Sequence, residues 1–286
     1  MDGLWKIGSI KDILGRHGFT FSKSLGQNFL VNPAVCPRMA DSCGVDAQSG
    51  VIEVGPGLGV LTCELARRAR KVVAIELDER LLPVLDETLD EFGNVRVING
   101  DVLKLDLRQI IADEFGGMDV CLCANLPYYI TSQVIMRLLE ERLPLRSITV
   151  MVQKEAAQRL CAPMGSRDCG AVTAAVHYYS EPEILFKVSK GSFMPAPKVD
   201  SAVIQLHVRQ QTPDLGCDER QFFKVVRAAF AGRRKTAINS VSMSLGIEKE
   251  RVAAAFATAG IAPTSRAEQL QLQQYAALTA ALYGGK

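Results

Sequence analysis

The stretch that most constrains the fold begins at Gly50, where apolar runs of strand length alternate with amphipathic runs of helix length. "GVIEVGPGLG" reads as a strand ending in a glycine turn, "VLTCELARRA" as a helix, "KVVAIELD" as a strand, and "RLLPVLDETLDEF" as a helix with Pro83 in its first turn. "VRVINGD" and "MDVCLCANLP" follow as strands, then a helix over 132–141 and the strand "SITVMVQ". Strands alternating with helices at this spacing predict βαβ units and a mostly parallel, doubly wound sheet, so the fold class is α/β. Near-continuous apolar runs such as "VVAI" suit strands covered on both faces.

The flanks are different. "SIKDILGRHGF" predicts a short helix capped by Ser9 and stopped by Gly18. "SKSLGQNFLVN" reads as a loop, and "PAVCPRMADSC" as a second helix with Pro33 in its first turn. After Lys154, "KEAAQRLCAP" and "GAVTAAVHYYS" read as helices joined by the polar loop "MGSRDCG". "PEILFKVS" and "SAVIQLHV" read as strands expected to pair antiparallel at one sheet edge, while "KGSFMPAPKVD" between them is too rich in proline for a ladder. From about Gln210 only helices are read. "ERQFFKVVRAAFAG" sets Phe222, Val226, Ala229 and Phe230 on one face, with Gly232 as the C-cap. The expected organisation is therefore 1–209, an α/β domain with an N-terminal helical extension, and 210–286, a small all-helical domain.

The formal net charge of +2 is too small to announce a nucleic-acid partner, so any such partner must be met by a local basic patch such as "GRRKT". The eight cysteines form no CxxC pair and the three histidines are widely separated, so no metal is expected. Unpaired thiols among apolar residues suggest a reduced, cytoplasmic setting. The first thirty residues carry Lys6, Lys11, Arg16 and Lys23 and no apolar core, so no secretory signal is read. No run approaches the ~20 apolar residues that a membrane span needs.

Polar groups collect at the ends of successive strands. Gly55 and Gly57 lie in the first βα turn, Glu76 ends the second strand, Asp101 the third and Asn125 the fourth. In doubly wound sheets the carboxyl ends of the strands bind ligands, and an acid about 20 residues beyond a glycine turn takes ribose hydroxyls. This pattern does not separate NAD(H) from S-adenosylmethionine, since both carry adenosine. Glu53, Glu76 and Asp101 together favour a cationic sulfonium over a pyrophosphate.

"CANLPYYITSQ" tips the balance. An adenine amine is a poor nucleophile because its lone pair is delocalised into the ring. The Asn125 side-chain oxygen and the Leu126 carbonyl, fixed by Pro127, would accept its two N–H bonds and aim the lone pair. Tyr128 would stack on the base for roughly 1–3 kcal/mol. Phe193 on the Pro-rich loop offers a second stacking face, although a loop aromatic can equally plug a seam. Arg233, Arg234 and Lys235 suit RNA phosphates, although cations at a helix end also favour its dipole.

Taken as a set, "LGQNFL", "EVGPGLGVLT", "AIELD", "NLPYYIT", "QKE", "FMPAPKVDSAV" and "RRKT" resemble the KsgA/RsmA family of ribosomal small-subunit RNA adenine dimethyltransferases. That family is a branch of the Rossmann-like class I S-adenosylmethionine-dependent methyltransferases, and the resemblance spans nearly the whole chain. It implies that Asn28 and Leu30 cover the methionine end of the cofactor and that Gly55, in the turn with Gly57, lies beneath it. Glu76 holds the ribose and Asp101 the cofactor's adenine amine. Asn125 serves both cofactor and target, and Tyr128 and Phe193 sandwich the flipped base. The implied substrate is a pair of adjacent adenosines in the 3′-terminal hairpin of 16S rRNA, in a precursor small ribosomal subunit, and the implied protein is a monomer. Tyr129 departs from the family's pattern, where bacterial members commonly carry Asn, and is expected to tune substrate fit. Three other readings stay open here: a large-subunit methylase of the macrolide-resistance type, a non-catalytic assembly factor, and a nucleotide-dependent oxidoreductase in which "NLPY" has no part.

Overall fold

The computed structural model describes residues 3–19, 28–232 and 234–284. Helix α1 (Ile7–Arg16) buries Ile10, Ile13 and Leu14. Its N-cap is Lys6, not Ser9: a turn in which Lys6 N–H donates to the Gly3 carbonyl starts the helix earlier and leaves Ser9 inside the first turn. Gly18, at φ +61°, stops it as expected. Strand β1 (Phe29–Leu30) is followed by α2 (Val35–Cys43), whose N-cap is Ala34. Pro33 thus lies in the turn ahead of α2, where the Asn32 side chain accepts the Ala34 N–H.

The alternating region folds as β2 (Gly50–Val54), α3 (Val60–Ala66), β3 (Lys71–Glu76), α4 (Leu82–Thr88) and β4 (Val95–Asn99). Pro83 sits in the first turn of α4, where its missing N–H costs nothing. Next comes α5 (Leu107–Phe115), a crossover helix that the sequence reading did not name, capped by Asp106 and buried through Leu107, Ile111 and Phe115. β5 (Val120–Asn125), α6 (Thr131–Glu140), β6 (Leu145–Gln153), α7 (Lys154–Leu160) and α8 (Ala171–Tyr179) follow. β7 (Ser180–Val188), β8 (Phe193–Met194) and β9 (Ser201–Val208) complete the strands.

Seven strands form one sheet in the order β4-β3-β2-β5-β6-β9-β7. β2 pairs in parallel with both β3 and β5, β3 with β4, and β5 with β6, while β9 runs antiparallel to β6. β7 and β9 are neighbours at one edge, as their closeness in sequence predicts. The Pro-rich segment does form a ladder, though of only two residues: β8 pairs antiparallel with β1, Phe193 opposite Leu30. The chain order reverses between β2 and β5, which opens a crevice at their carboxyl ends.

The last helices are α9 (Glu219–Phe230), α10 (Ala237–Leu245), α11 (Lys249–Thr258) and α12 (Leu272–Tyr283). The C-cap of α9 is Ala231, one residue before Gly232. Two compact units result: Met1–Ala157 with Pro182–Val208, and Gln158–Glu181 with Arg209–Lys286. The segment from Gln158 to Glu181 thus groups with the C-terminal helices. The reason is aromatic: Tyr178 stacks on Phe222 at 5.7 Å and Tyr179 on Phe223 at 5.5 Å, and both phenols donate to the Glu219 carboxylate. Among the described residues, no helix is long and apolar enough to cross a membrane.

Candidate active site

A cavity of about 130 Å³ lies at the carboxyl ends of β2, β3 and β5, where the strand order reverses. The glycine turn after β2 forms its floor. Gly55 and Gly57 take φ of +70° and +61°, a region that side chains disfavour. A Cβ on Gly55 would meet no atom within 4 Å, so this backbone borders open space, whereas one on Gly57 would press on the Phe29 ring at 3.2 Å.

Two buried carboxylates follow. Glu76, at the end of β3, accepts N–H groups from Gly57 at 3.2 Å and Asp78 at 2.8 Å. Burial lifts its pKa above the usual carboxylate range, and these donors oppose the lift. Glu53 on β2 is 1% exposed, and one of its oxygens has no hydrogen-bond partner. Burial pushes its pKa up to about 8, against the Thr62 hydroxyl and with help from the Glu76 charge. Asp101, half-buried just past β4, accepts the Leu103 N–H at 2.9 Å.

Asn28 and Leu30 border the same space, as do Asn125, Leu126, Tyr128 and Phe193. Asn125 is the last residue of β5, in register with Met151 of β6, so a packed central strand aims it. Pro127 then forces the chain into a turn that continues into α6, with the Pro127 carbonyl accepting from Ile130 N–H. Tyr128 is half-buried, and its hydroxyl lies 2.7 Å from the Ser201 Oγ. Burial raises the pKa of this phenol. Phe193 is buried and held opposite Leu30. Tyr129 also borders the cavity but stays 55% exposed.

The residues singled out as cofactor-binding and catalytic therefore meet in one crevice. The basic residues sit in the second unit. Arg234 and Lys235 are exposed, the Lys235 Nζ donates to the Met243 sulfur at 2.8 Å, and Arg233 lies outside the described residues. Sequence reasoning missed Leu77, which borders the cavity while 48% exposed, and its signal was an apolar residue directly after a strand-end acid. Ser201, whose Oγ meets the Tyr128 hydroxyl, was read only as part of "FMPAPKVDSAV" and given no role.

The lining fits S-adenosylmethionine. It holds Glu53, Glu76 and Asp101, and neither Lys nor Arg is among the described residues that form it. Acidic residues without a basic one among the described lining suit a cationic sulfonium better than a pyrophosphate.

Comparison with known proteins agrees. The model of the family described as ribosomal RNA adenine dimethylase matches residues 18–283. The chain is 50% identical over 279 residues to ribosomal RNA small subunit methyltransferase A of Geobacillus thermodenitrificans (strain NG80-2), covering 96% of this chain and 95% of that protein. A protein of the same name from Bacillus cereus (strain AH187) is 48% identical over 276 residues, covering 95% and 94%. Among solved structures, the 23S rRNA methyltransferase ErmE superposes with a TM-score of 0.68 at 28% identity, covering 89% of this chain and 99% of that one. A dimethyladenosine transferase from Plasmodium falciparum shares the fold, with a TM-score of 0.70 at 23% identity and coverage of 87% and 95%. A match across almost the whole length, over a crevice whose charge suits a sulfonium, shows that the chain belongs to the ribosomal RNA adenine dimethylase family.

Proposed function

We propose that this S-adenosylmethionine-dependent rRNA adenine dimethyltransferase places two methyl groups on N6 of each of two adjacent adenosines in the 3′-terminal hairpin of 16S rRNA. It would act on a precursor small ribosomal subunit, as a monomer in the cytoplasm. The observation that carries the substrate is the 50% identity, over 96% of the chain, to a small-subunit methyltransferase A.

When bound, S-adenosylmethionine supplies an electrophilic methyl carbon and leaves as S-adenosylhomocysteine. Glu76 would take the ribose hydroxyls and Asp101 the adenine amine, with Asn28 and Leu30 covering the methionine end. The backbone at Gly55 and Gly57 lets the ligand approach closely. Tyr128 and Phe193 would hold the flipped target base between them, offsetting the cost of leaving its stack. The Asn125 side-chain oxygen and the Leu126 carbonyl would accept the two N–H bonds of the target amine, drawing its nitrogen toward tetrahedral geometry. Holding the nitrogen in line with the methyl carbon lowers the barrier through orientation. Each transfer would exchange one N–H of the amine for an N–C bond, its proton passing to water, so the dimethylated amine has no N–H left and the Asn125 grip would be lost when the second transfer is complete. Arg233, Arg234 and Lys235 would contact RNA phosphates, which position the RNA without reading its sequence.

The likeness to a 23S rRNA methyltransferase supports a second reading, in which the large-subunit RNA is the substrate. One experiment separates the two. Small and large subunits from a strain lacking these methyl groups are incubated with the protein and S-adenosylmethionine, and their nucleosides are analysed by mass spectrometry. Dimethyladenosine confined to the small-subunit hairpin is expected. Its appearance only in large-subunit RNA would overturn the assignment.

A further inference from the structure

We propose that Ser201 is a positioning residue for the target base: its hydroxyl holds the Tyr128 ring as one wall of the slot, while its neighbour Asp200 ties down the segment carrying the other wall, Phe193. The inference rests on the base-binding role given above to Tyr128 and Phe193.

The two walls come from segments far apart in the sequence. Tyr128 lies in a turn beyond the end of β5, and a phenol in a turn swings about its side-chain torsions unless its far end is held. The far end is held. The Tyr128 hydroxyl and the Ser201 Oγ are 2.7 Å apart, across 73 residues of sequence. Ser201 is wholly buried and is the first residue of β9, paired with Gln153 at the end of β6. β6 is in turn hydrogen-bonded to β5 through Met151 and Asn125. The anchor of the ring and the amide beside it are thus built on adjacent strands of one sheet.

Asp200 performs the matching task. Its carbonyl accepts the Lys154 N–H at 3.0 Å, which fixes it at the start of α7. Its carboxylate accepts the Lys190 N–H at 2.9 Å, at the base of the segment that leads to Phe193. That segment is held from its other side by the residues just after β1, where Val31 N–H donates to the Ser192 carbonyl at 2.8 Å and the Asn32 side chain to the Ser192 hydroxyl at 3.1 Å. Consecutive residues Asp200 and Ser201 therefore hold one wall each, alongside the β1 pairing that also holds Phe193. A stacked base tolerates a placement error of only about 0.5 Å or 10–20°. A wall free to rotate binds a base but presents its amine out of line, so the loss should fall on turnover more than on affinity.

The test uses the full-length protein with undermethylated small subunits. Tyr128→Phe keeps the ring and removes the tether, and Ser201→Ala removes its partner. Each is expected to lower kcat/KM for the RNA about tenfold, mainly through kcat, in line with the loss of a net hydrogen bond and the ordering it provides. The double variant should be no worse than either single one, since both cut the same tether. Ser201→Thr, which retains a hydroxyl, should recover most of the loss. Affinity for S-adenosylhomocysteine by calorimetry should change less than about twofold. Full activity in Tyr128→Phe, or losses that multiply in the double variant, would overturn the proposal. Should Ser201→Ala fail to fold, Tyr128→Phe decides alone, because it opens no void in the core. Quenching of 2-aminopurine riboside by the S-adenosylhomocysteine-loaded protein reads the slot without turnover. Absence of dimethyladenosine from the wild-type reaction would therefore sink the substrate assignment, whereas equal quenching by wild type and Tyr128→Phe would sink the positioning role.

Discussion

Glu53 shows what burial does to a carboxyl group. Burial raises its pKa to about 8 from the 4.5 of an exposed glutamate. Between those values the folded protein keeps a proton that the unfolded chain has lost. The residue therefore favours folding at the acid end of this window, and its contribution is lost as pH rises through about 8. Urea unfolding across the pH window from 4.5 to about 8 should show the decline, with a plateau above it, and Glu53→Gln, which cannot ionise, should flatten it. Binding has the opposite sign. A cationic cofactor favours the carboxylate form, so S-adenosylmethionine should bind more tightly as pH rises through the same region, and Glu53→Gln should remove the rise. Glu76 differs because the Gly57 and Asp78 N–H groups already hold its charge. Glu76→Ala should weaken cofactor binding by about 1.5–3 kcal/mol, the range for a hydrogen bond to a charged group. Calorimetry with S-adenosylhomocysteine measures this, and RNA affinity should stay nearly constant. Equal loss of both would remove Glu76 from the cofactor site.

Elements were legible in the sequence wherever their signal is local. β2, β3, β5 and β6 announce themselves by apolar runs, and α4 tolerates Pro83 because a first-turn proline wastes no donor. The glycine turn and the strand-end residues Glu76 and Asn125 were readable for the same reason, since strand direction alone places them at one end of the sheet. What escaped depends on partners distant in sequence. Nothing near α8 says that Tyr178 and Tyr179 stack on α9, so its grouping with the C-terminal helices was invisible. Nothing near Ser201 names Tyr128. The start of α1 was misplaced because a backbone turn at Gly3 replaces the side-chain cap that Ser9 suggested. One helix–strand contact gives a sharp test of packing. A Cβ on Gly50 would fall 2.1 Å from the Phe115 ring, so α5 can lie against β2 only with glycine there. Gly50→Ala should destabilise the protein by about 1–3 kcal/mol in urea unfolding. Pairing it with Phe115→Leu should return part of that loss.

At the scale of the whole molecule, two compact units divide the candidate residues: the crevice belongs to the first, and Arg234 and Lys235 to the second. Arg234→Ala should lower RNA affinity and flatten the dependence of log K on log salt by about 0.7–0.9, with S-adenosylhomocysteine binding unchanged. An unchanged slope would place the phosphate contacts elsewhere. The short ladder between β1 and β8 has a wider consequence. Leu30, proposed for the cofactor, and Phe193, proposed for the base, are partners in it, so on those roles one clasp would serve both guests. Whatever factor S-adenosylhomocysteine adds to the grip on RNA, RNA must add to the grip on S-adenosylhomocysteine, because the two loadings share one thermodynamic cycle. On those roles the enzyme would loosen its hold on the RNA each time it swaps a spent donor for a fresh one, so singly methylated adenosine should accumulate in solution early in the reaction.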